Sequence, residues 1–599
     1  MSNGELRRRA AAMGVMVTYT DGRGREVTVP DETLAAILGA IGDAPPPQRR
    51  TPPRGAAAPV PEHRSWGFTV QLYSLRSRDS WGHGDLRDLA EFAAWSARDL
   101  GADFVLINPL HAAEPLPPVS ASPYLPMSRR WISPLYLRIE DIPEYSALIS
   151  SQRAVVASLG APLRAASETP ELIDRDAVWT AKRAALEVIR KVPLSPPRQA
   201  SLDEFRVRQG QALQDWATWC AIAEVHGPDW RSWSPALADP RSAEVFVLRS
   251  SLAAQAEFHV WVQWLVASQL AAAQRAARAA GMEIGVVNDL AVGAHPGGAD
   301  AWARQDVFVR GISVGAPPDE FNQRGQDWSL PPWHPGHLAA QEYRPLAELI
   351  AAVAGESGGL RMDHVMGLAR LWWIPAGMTP DRGAYVRYDH EATLGVLAAE
   401  AARAGVVAIG EDLGTVEPWL HDALAERGVL GTSMLWFQRD ADGTPLPPRQ
   451  WRRNSLATVS THDMPPSAAF LTGSQVADRA RLGLLARSEA EERADADKSV
   501  AAWISALVRE GLLEPGARPS AEEFTAALYG YLAKTPSLLI GVSLAEAAGE
   551  RRSQNMPGTT TEYPNWRLPL CGPDGRPVLL EDLPAHEGVR AVARAASGR

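Results

Sequence analysis

Eight short apolar segments, set in series and separated by helical patterns, constrain this chain most. They are GFTVQLYSL (67–75), ADFVLINPL (102–110), EIGVVND (283–289), GGLRMD (358–363), VVAIGED (406–412), LGTSMLWF (430–437), LATVSTHD (456–463) and SLLIGVSLAE (537–546). Each has the length and apolar continuity of a strand buried on both faces. Between them lie stretches of helical spacing, such as LRDLAEFAAWSARDLGA after the first. Eight strand–helix units in series predict an α/β fold, a (β/α)8 TIM barrel. The spacing is uneven, with roughly 170 residues between the second and third segments. Insertions at about 111–280, 290–355 and 464–535 are therefore expected as helical and loop layers over the C-terminal face of the barrel.

The N-terminal region reads differently. Residues 1–43 look like a short helical appendage: a basic helix, a turn at Asp21–Gly24, then the amphipathic helix DETLAAILGAIG with Asp31 as its N-cap. Residues 44–65 are Pro-rich and read as a linker. The catalytic barrel is expected over 66–599.

Three acidic residues at the ends of these segments stand out: Asp363 on the fourth, Glu411 on the fifth and Asp463 on the seventh. Carboxylates at the C-terminal ends of parallel barrel strands open onto one face. Three converging there are the equipment for cleaving a glycosidic bond with retention, which needs a carboxylate nucleophile and a second carboxyl group that is first acid, then base. Strands four and five are neighbours in such a barrel, so Asp363 and Glu411 suit that pair, and Asp463 faces them across the mouth. Arg361 precedes Asp363 by two residues and shares its side of the strand, placed to hold that carboxylate ionised. His364 and His462 flank catalytic carboxylates and can reach sugar hydroxyls. Any single strand-end acid is more commonly a solvated charge or a helix cap, the role expected for Asp412.

Composition narrows the partners. A net charge of −10 argues against a nucleic-acid surface and gives no reason for membrane binding. No 18-residue apolar run occurs, and FHVWVQWLVASQLAAA (258–273) reads as an amphipathic core helix. The N-terminus lacks the apolar stretch of a signal peptide. With two cysteines, Cys220 and Cys571, a disulfide scaffold is excluded and a cytoplasmic enzyme is expected. No Walker loop, HExxH or EF-hand spacing is present, so no cofactor and no metal are expected. Tryptophan is abundant, 21 residues against 11 Phe and 11 Tyr, and most are expected in the core.

Several longer motifs resemble the 4-α-glucanotransferases (amylomaltase, disproportionating enzyme) of glycoside hydrolase family 77. QLYSLRSRDSWGHGDL (71–86), NPLHA (108–112), SPYLPMSRRWISPLY (122–136), DLAVG (289–293), GAPPDEFNQRGQDWSLPP (315–332), LRMDHVMGL, GEDLG, THD and QNMPGTTTEYPNW (554–566) follow in the family's order. The resemblance implies Asp363 as nucleophile, Glu411 as acid/base and Asp463 as transition-state stabiliser. It implies glucan binding at Tyr124, Asp289, Asp319, Gln326, Trp328, Arg361, His462, Asn555 and Pro557. Its substrates would be maltooligosaccharides and α-1,4-glucans, with a monomer or weak homodimer as the acting species. Two features depart. Ser133 stands where the family usually carries Asn, and the β-rich domain of the longer bacterial members is replaced by the Pro-rich linker.

Transfer rather than hydrolysis depends on what attacks the glucosyl intermediate. The Gly- and Pro-rich tract 311–333, with Phe321 and Trp328, suits an ordered loop without regular structure. By resemblance it is a lid over the barrel mouth with Trp328 as the acceptor platform. An α-glucan hydrolase of the amylase type and a catalytically inactive glucan-binding protein are the competing readings. The 554–566 segment speaks against the first and the intact acid triad against the second.

Overall fold

The computed structural model describes residues 2–21, 24–42, 56–318, 324–414 and 416–598. Eight parallel strands close into a barrel: β1 (Ser65–Val70), β2 (Phe104–Ile107), β3 (Gly285–Leu290), β4 (Gly359–Met362), β5 (Val407–Gly410), β6 (Val429–Met434), β7 (Ser455–Thr458) and β8 (Leu539–Ser543). They pair in chain order and β8 returns to β1, so no sheet edge is left open. Each of the eight expected segments overlaps one strand.

Alternation along the strands sorts the side chains. Phe104 and Leu106 of β2 point inward with Val287, Val407, Ile409, Leu430 and Leu456 to fill the barrel. Val105 and Ile107 point outward into the helical layer. The same alternation sends Leu360 and Met362 of β4 outward, into a core with helices Arg344–Ala354 and His390–Ala404. Arg361, between them, is left facing inward.

The helical layer shows where the insertion boundaries fall. Helix Ala253–Ala279 packs against helix Leu86–Trp95 and against β3, so it is the barrel's own crossing helix. The first insertion therefore ends before Ala253 rather than near 280. Arg344–Ala354 and Ala521–Ala533 are likewise barrel helices. The connection from β6 to β7 has no α-helix, only the 3-10 turns Leu435–Phe437 and Pro448–Gln450. No described helix is long and apolar enough to cross a membrane. Cys220 and Cys571 are both buried and unpaired. Trp81, Trp179, Trp219, Trp264, Trp302, Trp372, Trp373 and Trp503 are fully buried, the bulk packing role expected of tryptophan here.

The tract 311–333 departs from expectation. It forms a β-hairpin, Ile312–Ala316 with Gln326–Leu330, not a loop without regular structure. Two further strands after β4, Arg370–Pro375 and Ala384–Arg387, complete a four-stranded antiparallel sheet. The physical reason is long-range pairing. Ile312 and Val314 alternate toward a core built with Trp372 and Trp373, residues 60 positions away that local composition does not see. Gly315 is required by close approach, since a Cβ there would lie 1.9 Å from the Gln326 carbonyl oxygen.

The N-terminal appendage docks on this sheet. Helices Asn3–Ala12 and Asp31–Ile41 flank a short hairpin, Thr18–Thr20 with Glu26–Thr28. Met16 N–H donates to the Tyr385 carbonyl at 2.8 Å, and Tyr19 packs edge-on to Trp372. Pro30, not Asp31, is the N-cap of the second helix; Asp31 is its first residue and pairs with Arg7 at 2.5 Å. Residues 56–64 carry no helix or strand, and 44–55 of the Pro-rich linker lie outside the described residues.

Candidate active site

Asp363 and Glu411 each stand one residue beyond a barrel strand, yet their backbones remain in the ladder. Asp363 N–H donates to the Leu290 carbonyl at 3.0 Å and Glu411 N–H to that of Met362 at 2.9 Å. This ties both to rigid strands rather than to loops. Adjacent register places Met362 opposite Gly410, which brings the two carboxylates to neighbouring strand ends. Asp463 differs. β7 ends at Thr458, so Asp463 sits five residues on, in the loop before helix Ser467–Thr472, with its side chain 50% exposed.

Inward-facing partners organise Asp363. Arg361 lies opposite Asp289 on β3 and donates to both Asp289 oxygens at 2.7 Å. Its other nitrogen reaches Asp363 Oδ1 at 3.0 Å. Arg361 and Asp289 are 6% and 4% exposed, so the ion pair is desolvated and geometrically fixed. Tyr124, from the insertion after β2, donates to Asp289 Oδ2 at 2.7 Å and contacts His462 Nδ1 at 3.2 Å, its ring stacked on the imidazole at 4.7 Å. Asn555 Nδ2 donates to Asp463 Oδ1 at 2.6 Å.

Electrostatics set the pair apart. Burial, then the charge of Asp363, pushes the Glu411 carboxyl up to about 8. Burial also raises Asp363, to about 6, with the Arg361 charge opposing it. Arg361 thus keeps Asp363 the more acidic of the two without returning it to the ordinary carboxylate range. Near neutrality Asp363 is ionised and Glu411 protonated, the states that nucleophile and acid require. Turnover should therefore be bell-shaped in pH. It falls below about 6 as Asp363 protonates and above about 8 as Glu411 loses its proton. A kcat/KM profile on maltotriose checks this, and a profile flat from 5 to 9 would refute the assignment.

His364 contributes chiefly through its backbone. Its φ of +48° turns the chain sharply after Asp363, and its N–H donates to Glu411 Oε2 at 2.9 Å. Leu413 N–H donates to Oε1 at 2.7 Å. The His364 ring, kept neutral by burial, meets Trp328 edge-on at 5.1 Å. That contact brings the hairpin against the catalytic strand ends. Trp328 Nε1 donates to Gln326 Oε1 at 3.0 Å. Asp319 and Phe321 lie outside the described residues. Pro557 is exposed on the 554–566 segment. Asp412 is neither a solvated charge nor a helix cap: it is buried, Arg452 clamps both its oxygens at 2.6 Å and Thr432 N–H adds a third bond.

A cavity at the barrel axis, about 920 Å³ and open to solvent, is lined by Asp289, Arg361, Tyr124 and His462. Gln71 and Gln554 also line it, and the sequence reading passed over both. Gln554 is fixed by Tyr73, whose hydroxyl donates to Oε1 at 3.0 Å. Trp566, likewise passed over, lies 5.3 Å from both the Tyr124 and His462 rings, on a backbone of φ +61°. The motif containing Gln554 and Trp566 was visible in the sequence; its folding onto His462 was not.

A family model described as 4-alpha-glucanotransferase matches residues 70–572. The chain belongs to the 4-alpha-glucanotransferase family. A 4-alpha-glucanotransferase from Mycobacterium tuberculosis (strain ATCC 25618 / H37Rv) is 54% identical over 530 residues, covering 87% of this chain and 73% of the relative. One from Haemophilus influenzae is 34% identical over 542 residues, covering 86% and 77%. Among solved structures, the amylomaltase from Corynebacterium glutamicum aligns with a TM-score of 0.90 at 37% identity, covering 99% of this chain and 100% of that one. The amylomaltase from Streptococcus agalactiae in complex with acarbose shares the fold, with a TM-score of 0.70 at 19% identity and coverage of 89% and 99%.

Proposed function

We propose that this 4-alpha-glucanotransferase moves an α-1,4-glucan segment from a donor maltooligosaccharide to the 4-hydroxyl of an acceptor glucose or glucan by retaining double displacement. Asp363 attacks the anomeric carbon while Glu411 protonates the departing glycosidic oxygen. A covalent glycosyl–enzyme ester forms. Glu411, now ionised, takes the proton from the acceptor hydroxyl as that oxygen displaces Asp363. Asp463 and His462 hold the distorted ring through its hydroxyls, and Arg361 and Tyr124 fix the nucleophile side. The observation that carries this reading is the adjacent strand-end pair, one carboxyl bridged by Arg361 and the other held protonated by burial.

The hairpin decides the fate of the intermediate. Trp328 stands against His364, beside the nucleophile, where an indole face offers an acceptor sugar a platform in place of water. Incubation with maltotriose tests the function: transfer yields glucose plus a ladder of longer chains, whereas hydrolysis yields only shorter ones. Trp328→Ala should lower the ratio of ladder to hydrolysis products more than it lowers total cleavage. An unchanged ratio would count against the platform. The buried, unpaired thiols support a reducing, cytoplasmic setting.

A further inference from the structure

The eighth barrel segment also ends on an acid, Glu546, which has no part in the chemistry above. It lies in helix Leu544–Ala547, directly after β8, is 5% exposed and lines the axial cavity together with His462. Its Oε1 accepts from Ser467 N–H at 2.7 Å and its Oε2 from the Tyr529 hydroxyl at 2.5 Å. Ser460 and Ser467 bracket the loop between β7 and helix Ser467–Thr472, and His462 and Asp463 lie between them. The C-terminal end of the loop that presents Asp463 is therefore held by a buried carboxylate.

The cost of that arrangement is informative. No ion pair to Glu546 is formed among the described residues and burial pushes its carboxyl up, so hydrogen bonds alone hold it in place. A well-packed apolar side chain would occupy the space without that desolvation penalty. What an apolar group cannot supply is direction: one donor on each carboxylate oxygen defines where the end of the loop sits. Tyr529 is itself fixed, since its oxygen accepts from Ser543 N–H at 3.0 Å. Ser467 is tied further by its hydroxyl contact with Thr525 at 2.7 Å.

We propose that Glu546 is a positioning residue, pinning the C-terminal end of the β7 loop at Ser467 so that Asp463 and His462 meet the sugar ring in productive geometry. It acts through Asp463 and rests on the stabiliser role assigned to that residue above. The test is a double-mutant cycle with maltotriose as donor, using Glu546→Gln, Asp463→Asn and both together. Gln keeps the volume but turns a donor toward groups that already donate. Glu546→Gln alone should lower kcat by about 10-fold or more, toward the roughly 10²-fold that small misplacement costs, with KM nearly unchanged. In the Asp463→Asn background the same substitution should add less than about 3-fold, because the residue it positions has already lost its charge. Tyr529→Phe removes one donor and should follow the same pattern with a smaller loss; it carries the cycle if Glu546→Gln fails to fold. Fully multiplicative losses, or a Glu546→Gln enzyme with a lowered Tm and wild-type kcat, overturn the proposal while leaving the role of Asp463 intact. Near-wild-type turnover in Asp463→Asn would remove that role, and the proposal with it.

Discussion

Asp363→Asn should reduce turnover by at least about 10⁴-fold while leaving the fold intact, a loss of about 5.5 kcal/mol of transition-state stabilisation. The amide has the volume of the carboxylate, so packing at the strand end is preserved. It cannot attack the anomeric carbon, and no ester intermediate can form. The lost charge also leaves Arg361 with Asp289 as its ion-pair partner, bound through both oxygens at 2.7 Å, so the guanidinium stays in place. Single-turnover kinetics on maltotriose, with the thermal midpoint as a control for folding, measure the effect. Residual activity within tenfold of the wild type would remove Asp363 from the nucleophile role. A large drop in thermal midpoint would instead assign the loss to structure.

Glu411→Gln should fail differently. Loss of a general acid costs about 10²- to 10⁴-fold, and the cost depends on how much the leaving group needs a proton. With a maltooligosaccharide donor, whose departing alkoxide is strongly basic, the loss should lie at the upper end. With a glycosyl fluoride, whose leaving group needs little protonation, the first step should recover. The alkaline limb of the pH profile, placed near 8 by the raised Glu411 carboxyl, should disappear with the fluoride. The direction follows from the group's role: Glu411 is active protonated, so raising pH removes activity in the wild type, and a Gln cannot titrate. If Glu411→Gln lost equal activity on both donors, Glu411 would be a binding group rather than the acid.

These two substitutions probe residues that were legible before any coordinates. Asp363 and Glu411 could be read because each follows a continuous apolar strand, and a parallel barrel forces strand ends onto one face whatever the loops do. Arg361 could be read from period-two alternation. Asp463 was legible as a residue but not in its setting. It is carried five positions beyond β7 on a loop whose C-terminal end Glu546 holds from the helix after β8. The hairpin around Trp328 was misread as irregular because Gly and Pro dominate its composition, whereas its strands are made by pairing with Trp372 and Trp373 after β4. Gln554 and Trp566 stood in a visible motif, but nothing local says that they fold onto Tyr73 and His462.

The amino-acid sequence by itself determined the barrel, the order of its strands and the identity of the three acids. Those follow from near-neighbour periodicity and from the closure rule for parallel strands. Tertiary structure alone decided the protonation order of Asp363 and Glu411, which arises from shared burial and mutual charge. It also decided the docking of the appendage onto the four-stranded sheet and the contact of Glu546 with the end of the Asp463 loop. Each of these is a contact between segments tens to hundreds of residues apart, where chain closure and desolvation act and local pattern carries no signal.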